Sequence, residues 1–452
     1  MVVDLIIKNC RIVMPYETLD AGMAVDKGKI VSIARDDHLP ASDKVIDAKG
    51  RYLLPGAIDA HVHFRDPGYT EKEDFRTGSE AAAAGGVTTV LDMPNNIPLI
   101  TDPELVKNKI KIAEGKSLVD FGLFGCATKG HLRAITGMAE AGVIGFKIFM
   151  GQTTGVTPID DGTILKAFKL IAETKLRVGV HAENEEIRAI LEEELKAKGK
   201  RDLSGHMESR PRFIEEEAIS RAILLSRVAG NKLHICHTST SEGVELICSA
   251  KAAGQPVTAE TGPQYLLFKE EHIKKYGFLI KANPPVRGIP ADREALWRGL
   301  RDVGIDMVAS DHAPHPLEDK IEKENFWEAG SGMIGVETMM PLMLTQVNTG
   351  MLSIHQLITL TSETPARYFN LFPKKGVVQV GSDADLVLID IKSEGIIRRD
   401  KLHSKSLNTA FDGWKVIGMP TMTIVRGTIV YEDGEIVGRP GHGELQRPIV
   451  HS

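Results

Sequence analysis

The sequence predicts an α/β protein: a (β/α)8 TIM-like barrel with a small β-sandwich domain formed by the N- and C-terminal segments. Two observations predict this. In the middle of the chain, apolar strand-like runs alternate with helix-like stretches, as buried parallel strands joined by crossover helices do. At both ends, short strands of alternating polarity follow one another with only turns between them.

Residues 1–54 supply "DLIIKNCRIV", "GMAVDKGKIVSIA" and "KVIDAKGRYLLPG" to the small domain. From 55 to 371 the strand-like runs are "GVTTVLDMP", "VDFGLFG", "GVIGFKIFM", "LRVGVHAEN", "KLHICHTST", "GQPVTAETGP" and "IDMVASDHAP". Between them lie helical stretches such as "TDPELVKNKIKIAEG", "IEEEAISRAILLSRVAG" and "SEGVELICSAKAAG". About eight such units fit a closed barrel better than an open sheet, and no GxGxxG follows the first strand to suggest a dinucleotide site. Gly85-Gly86 reads as a helix C-cap. "KNKIKIAEGK" and "EEELKAKGKRD" read as solvated helix faces. Residues 372–452 return to short strands, "GSDADLVLIDI" and "TMTIVRGTIVYEDGEIVG", which complete one composite domain with residues 1–54.

Composition excludes several functions. The chain has 452 residues, 42% of them hydrophobic, and a formal net charge of −6. That describes a soluble globular protein with no general electrostatic attraction for nucleic acid or an anionic membrane. No apolar run approaches the ~18–20 residues of a membrane span. "MVVDLIIKNCRIV" alternates like a strand and lacks the layout of a signal peptide. Cys10, Cys126, Cys236 and Cys248 stand far apart, as buried reduced thiols of a cytoplasmic protein would.

Metal-capable residues recur at the C-terminal ends of the barrel's strand-like runs. They are His61 and His63 in "HVHFRDPG", Lys147 in "GFKIFM", His181 in "GVHAEN", His237 in "ICHTST" and Asp311 in "ASDHAPH". A barrel gathers those strand ends on one face. A buried polar group needs a partner, so six of them from five strands point to a shared site. His61 and His63, at i and i+2, project from one face of a strand and deliver two nitrogens to one ion. Imidazole and carboxylate without thiolate suit a catalytic Zn²⁺. His181 and His237 are placed to hold a second ion. A cationic ammonium is a poor neighbour for two dications, so Lys147 is expected to be neutral there. A neutral amine can add carbon dioxide and become an anionic carbamate with two oxygens, a bridging ligand.

These motifs together resemble the metal-binding motifs of the cyclic amidohydrolases of the amidohydrolase superfamily, over nearly the whole chain. Dihydroorotases, hydantoinases (dihydropyrimidinases) and allantoinases are its members in view. The resemblance implies two Zn²⁺ per chain, held by His61, His63, carboxylated Lys147, His181, His237 and Asp311. It also implies a metal-bridging hydroxide that attacks a ring amide carbonyl, with Asp311 as the catalytic proton shuttle.

Arg65, two residues past His63 and so expected on the same face, is placed to meet an anion at the mouth of the site. In dihydroorotases the residues matching Arg65, Asn95 in "DMPNN", Asn283 in "KANPPVR" and His315 bind substrate, and a ring carboxylate distinguishes dihydroorotate from the neutral rings. The resemblance therefore favours interconversion of L-dihydroorotate and N-carbamoyl-L-aspartate in de novo pyrimidine biosynthesis. A hydantoinase or allantoinase acting on an uncharged ring is the alternative, because "ESRPRFIEEEAISRAI", "VTAETGPQYL" and "WEAGSGMIGVETMMPLMLT" look hydantoinase-like. A non-catalytic assembly partner is disfavoured because every ligand stands. The expected partner is a small molecule bearing a carboxylate, with a homo-oligomer (dimer or tetramer) as the assembly; association with aspartate transcarbamoylase stays open. "IDDG" (Asp160, Asp161) departs from the position of a related motif in many dihydroorotases. Trp327 is either a lid over the pocket or a packed loop residue.

Overall fold

Eight parallel strands form the barrel wall among the described residues. They are β1 (Ala57–Val62), β2 (Val87–Asp92), β3 (Asp120–Cys126), β4 (Gly145–Phe149), β5 (Arg177–His181), β6 (Lys232–Ile235), β7 (Val257–Thr261) and β8 (Met307–Val308). The structure, a computed structural model, describes residues 2–302, 304–321 and 323–449. Each strand pairs with the next in chain order. A parallel bridge between Val62 and His312 joins the first strand to the segment after the last. There the His63 amide donates to the His312 carbonyl at 2.8 Å. Nearly every strand residue is buried on both faces, which is why the strands read as unbroken apolar runs.

The helices start where local chemistry allows. Asp102 accepts from the Glu104 and Leu105 amides and Pro103 opens helix Pro103–Lys116, where a missing N–H costs nothing. Gly85 caps helix Phe75–Ala84 and Gly86 takes φ 78°, as the Gly-Gly pair predicted. One expectation fails on this same surface. "KNKIKIAEGK" is not a wholly solvated face, because Lys109 is fully buried while Lys107 and Lys111 are exposed. The inward row of this helix includes position 109, and a buried carboxylate, Asp92 at the end of β2, receives its ammonium.

The chain ends meet in one nine-stranded sheet among the described residues, eight strands in a single hydrogen-bonded order and the ninth, Ala41–Asp47, branching from Val2–Val13. Tyr52–Pro55 pairs antiparallel with Leu386–Ile396, joining the N-terminal set to the C-terminal one. Leu5, Ile7, Met23, Leu386, Leu388 and Ile424 pack into a core separate from the barrel's. Lys375 joins the two parts. Its ammonium meets Asp120 of β3, Asp383 at 2.9 Å and Asp385 at 2.6 Å. All four cysteines are free thiols; Cys248 alone is partly exposed. Among the described residues no helix is long and apolar enough to cross a membrane.

Candidate active site

At the C-terminal end of the barrel, His61, His63, Arg65, Asn95, Lys147, His181, His237, Asn283 and Asp311 line one cavity. His61 lies on β1 and His63 one residue beyond it, and alternation still turns both rings inward. Their Nε2 atoms face one oxygen of Asp311, at 3.5 and 3.2 Å. The opposite nitrogens are held from behind. His61 Nδ1–H donates to the Glu260 carboxylate on β7, and His63 Nδ1–H donates to Asn95 Oδ1 at 2.7 Å. Such acceptors fix the tautomer that leaves Nε2 free for an ion.

The second histidine pair converges in the same way. His181 Nδ1 and His237 Nε2 stand 2.9 Å apart, and His181 Nε2 is 2.9 Å from Glu183 Oε2. Glu183 is itself held by Arg210; burial pushes its carboxyl up, but Arg210, His181 and Arg287 together bring it down to about 2. Lys147 sits inside β4 with its amine 2.8 Å from Cys236 Sγ.

Electrostatics favour ligation. Burial is the largest cause lowering His61 to about 4, and it holds His63 and His237 well below the usual histidine range. Neutral imidazole is the form that binds metal. Burial raises the Asp311 carboxyl. Four imidazoles, one carboxylate and one amine in a single cavity suit two divalent ions, with the amine fitting once carboxylated.

Backbone geometry marks the same place. Arg65 (φ 61°), His237 (φ 38°) and Asp311 (φ 48°) all adopt left-handed conformations that side chains disfavour. Strand alternation therefore does not place Arg65; a turn after β1 does. Its guanidinium is buried, with Nε and Nη1 lacking a partner, and burial lowers it to about 10. Asn283 Oδ1 and His315 Nε2 are likewise buried without a partner. His315 stands behind the cavity lining, its Nδ1 3.3 Å from the Lys72 ammonium. Asn95 lines the cavity, but its Oδ1 serves His63 and its amide reaches the Thr154 carbonyl at 3.4 Å.

The sequence pattern singled out neither Glu260 nor Glu183, and Cys236 read there only as a buried reduced thiol. The rule that found the ligands would have found Glu260, an acid ending the apolar run "VTAETGP". Asp160 is the N-cap of helix Asp161–Glu173, so "IDDG" has a local structural role. Trp327 belongs to a fixed wall, its indole donating to the Lys200 carbonyl at 2.8 Å. Lys281 holds that wall through the Phe326 and Ala329 carbonyls, both at 2.5 Å, and Lys320 through the Gly332 carbonyl at 2.7 Å.

A (β/α)8 barrel with this donor set defines a class, and the chain belongs to the amidohydrolase family, whose profile matches residues 52–430. It is 39% identical over 447 residues to an L-hydantoinase of Paenarthrobacter aurescens, covering 98% of this chain and 97% of the other. It is 40% identical over 450 residues to a dihydroorotase of Methanosarcina acetivorans, covering 98% and 95%. An allantoinase of Deinococcus radiodurans is 36% identical over 453 residues, covering 99% of each. Among solved structures, the L-hydantoinase (dihydropyrimidinase) from Arthrobacter aurescens superposes with a TM-score of 0.95 at 39% identity, covering 98% of this chain and 99% of that one. These relatives carry three different names, hydantoinase, dihydroorotase and allantoinase, and so divide over which ring.

Proposed function

We propose that the protein is a dihydroorotase, interconverting L-dihydroorotate and N-carbamoyl-L-aspartate at a centre of two Zn²⁺ held by His61, His63, carboxylated Lys147, His181, His237 and Asp311. The observation that carries the choice of ring is Arg65. A buried guanidinium with two unpartnered nitrogens, in the wall of the metal cavity, is costly unless an anion completes it. A ring carboxylate does so with matching planar geometry. The unpartnered Asn283 Oδ1, in the same cavity wall, is a further polar position for the substrate.

Bound ions supply Lewis-acid polarisation of the ring carbonyl and acidify water. The chain's own part is positional. Arg65 orients the ring through its carboxylate. Asp311 takes a proton from the attacking water on its carboxylate oxygen and delivers it to the leaving ring nitrogen as the amide C–N bond breaks. Glu260 and Asn95 keep the two histidines of the first pair aimed inward.

A second reading, hydrolysis of an uncharged ring, is favoured by overall likeness, since an L-hydantoinase structure superposes at a TM-score of 0.95. Scaffold likeness alone does not select a substrate. Steady-state turnover of dihydroorotate against hydantoin, dihydrouracil and allantoin separates the two readings.

A further inference from the structure

The helix Pro103–Lys116 carries a buried cation with no part in the chemistry above. Asp92 and Lys109 are both 0% exposed and pair directly. The other Asp92 oxygen accepts from the Phe64 amide at 2.7 Å, between the ligand His63 and Arg65. The Lys109 ammonium also donates to the Met93 carbonyl at 2.9 Å and to Asn96 Oδ1 at 2.6 Å. Asn96 in turn donates to the Pro67 carbonyl at 3.1 Å. The ion pair thus reaches two loops at the cavity: residues 63–68, with Arg65, and residues 93–97, with Asn95.

Three further contacts belong to the same seam. The Ile97 amide donates to the Pro67 carbonyl at 3.3 Å. Gly68 sits at φ 106°, and a Cβ there would come within 2.4 Å of the Ile97 carbonyl oxygen, so the loops touch with no spare room. Lys116, on the same helix, pairs with Asp66 at 2.6 Å. The backbone these contacts hold is unfavourable in itself, with Arg65 in a left-handed conformation and its guanidinium buried unpartnered.

A buried ion pair adds little net stability, since apolar residues of similar size generally do as well or better. Its value here is location. We propose that the Asp92–Lys109 pair is the positioning device of the anion clamp, locking the Arg65 loop against the Asn95 loop. The proposal rests on the reading of Arg65 as the carboxylate's partner.

The test is the double variant Asp92→Asn/Lys109→Met, which leaves no buried charge alone and keeps an acceptor for the Phe64 amide. Metal content, melting temperature, kcat and KM are measured on zinc-loaded protein with dihydroorotate. The expected result is two retained ions, kcat within about 3-fold and KM raised about 10-fold or more, because small displacements of positioning groups weaken substrate binding. A purely structural pair would lower the melting temperature and leave KM alone, and that result overturns the proposal. If the double variant does not fold, Asn96→Ala removes only the strut; KM should rise there too, and an unmoved KM overturns the proposal. Wild-type protein that prefers uncharged rings overturns the parent reading, and the clamp with it. Wild-type protein that prefers dihydroorotate, with folded variants of unchanged KM, overturns the positioning role alone.

Discussion

Asn95 Oδ1 accepts a hydrogen bond from His63 Nδ1 at 2.7 Å, so one side chain connects the specificity loop to the metal centre. Asn95→Ala should weaken the ion held by His63 roughly 10–100-fold, the usual cost of losing an outer-sphere partner. Asn95→Asp keeps the acceptor, so it should retain metal while its added negative charge repels the substrate carboxylate. Competition with a chelating dye, read beside KM, checks both variants.

Arg65→Met should leave the metals in place and lower kcat/KM for dihydroorotate roughly 10²–10³-fold, as expected for loss of a charge-assisted bidentate contact in a water-poor site. Turnover of any uncharged ring should be unchanged or improved. Equal losses on both substrate types would make Arg65 structural.

Asp311→Asn should retain some metal and lose roughly 10²–10⁴-fold in kcat, the range of a general acid–base group. Near wild-type kcat would assign the proton transfer to another residue.

Metal analysis of a native preparation should find two ions per chain, and its intact mass should exceed the sequence mass by one carbon dioxide at Lys147. Chelation should abolish activity and added zinc restore it. Lys147→Ala should lose most activity, with partial rescue by short carboxylic acids. One ion in a fully occupied site beside an unmodified lysine would contradict the bridge.

Burial, then the nearby Arg210, lowers the Lys281 ammonium from 10.5 to about 7. Between those values the unfolded chain binds a proton that the folded chain does not, so this group favours folding increasingly as pH rises. Relative to Lys281→Met, wild-type protein should gain stability from about pH 7 to about pH 9, read as a shift in urea midpoint. A difference between the two proteins that does not change with pH would contradict the assignment.

The barrel was legible because its strands are buried on both faces and so read as apolar runs, with each ligand near a run's end. The small domain was legible from alternation at the two chain ends. Lys109 was not, because a charged residue in a lysine-rich helix reads as solvated until its partner, Asp92, is known to be packed beneath it. The place of Arg65 followed from the spacing "HFR" only by accident of a turn, since left-handed backbone at 65 replaces the alternation that the spacing suggests. Glu183, two residues past His181, was hidden because its partner Arg210 comes from a distant helix end.

The unpartnered guanidinium of Arg65 should select a ring that carries a carboxylate. The direct measurement is kcat/KM of the zinc-loaded wild-type protein for L-dihydroorotate, hydantoin, dihydrouracil and allantoin under identical conditions. The highest value is expected for dihydroorotate, with the preference abolished in Arg65→Met. Faster hydrolysis of an uncharged ring, reduced to the same degree as dihydroorotate turnover by Arg65→Met, would contradict it.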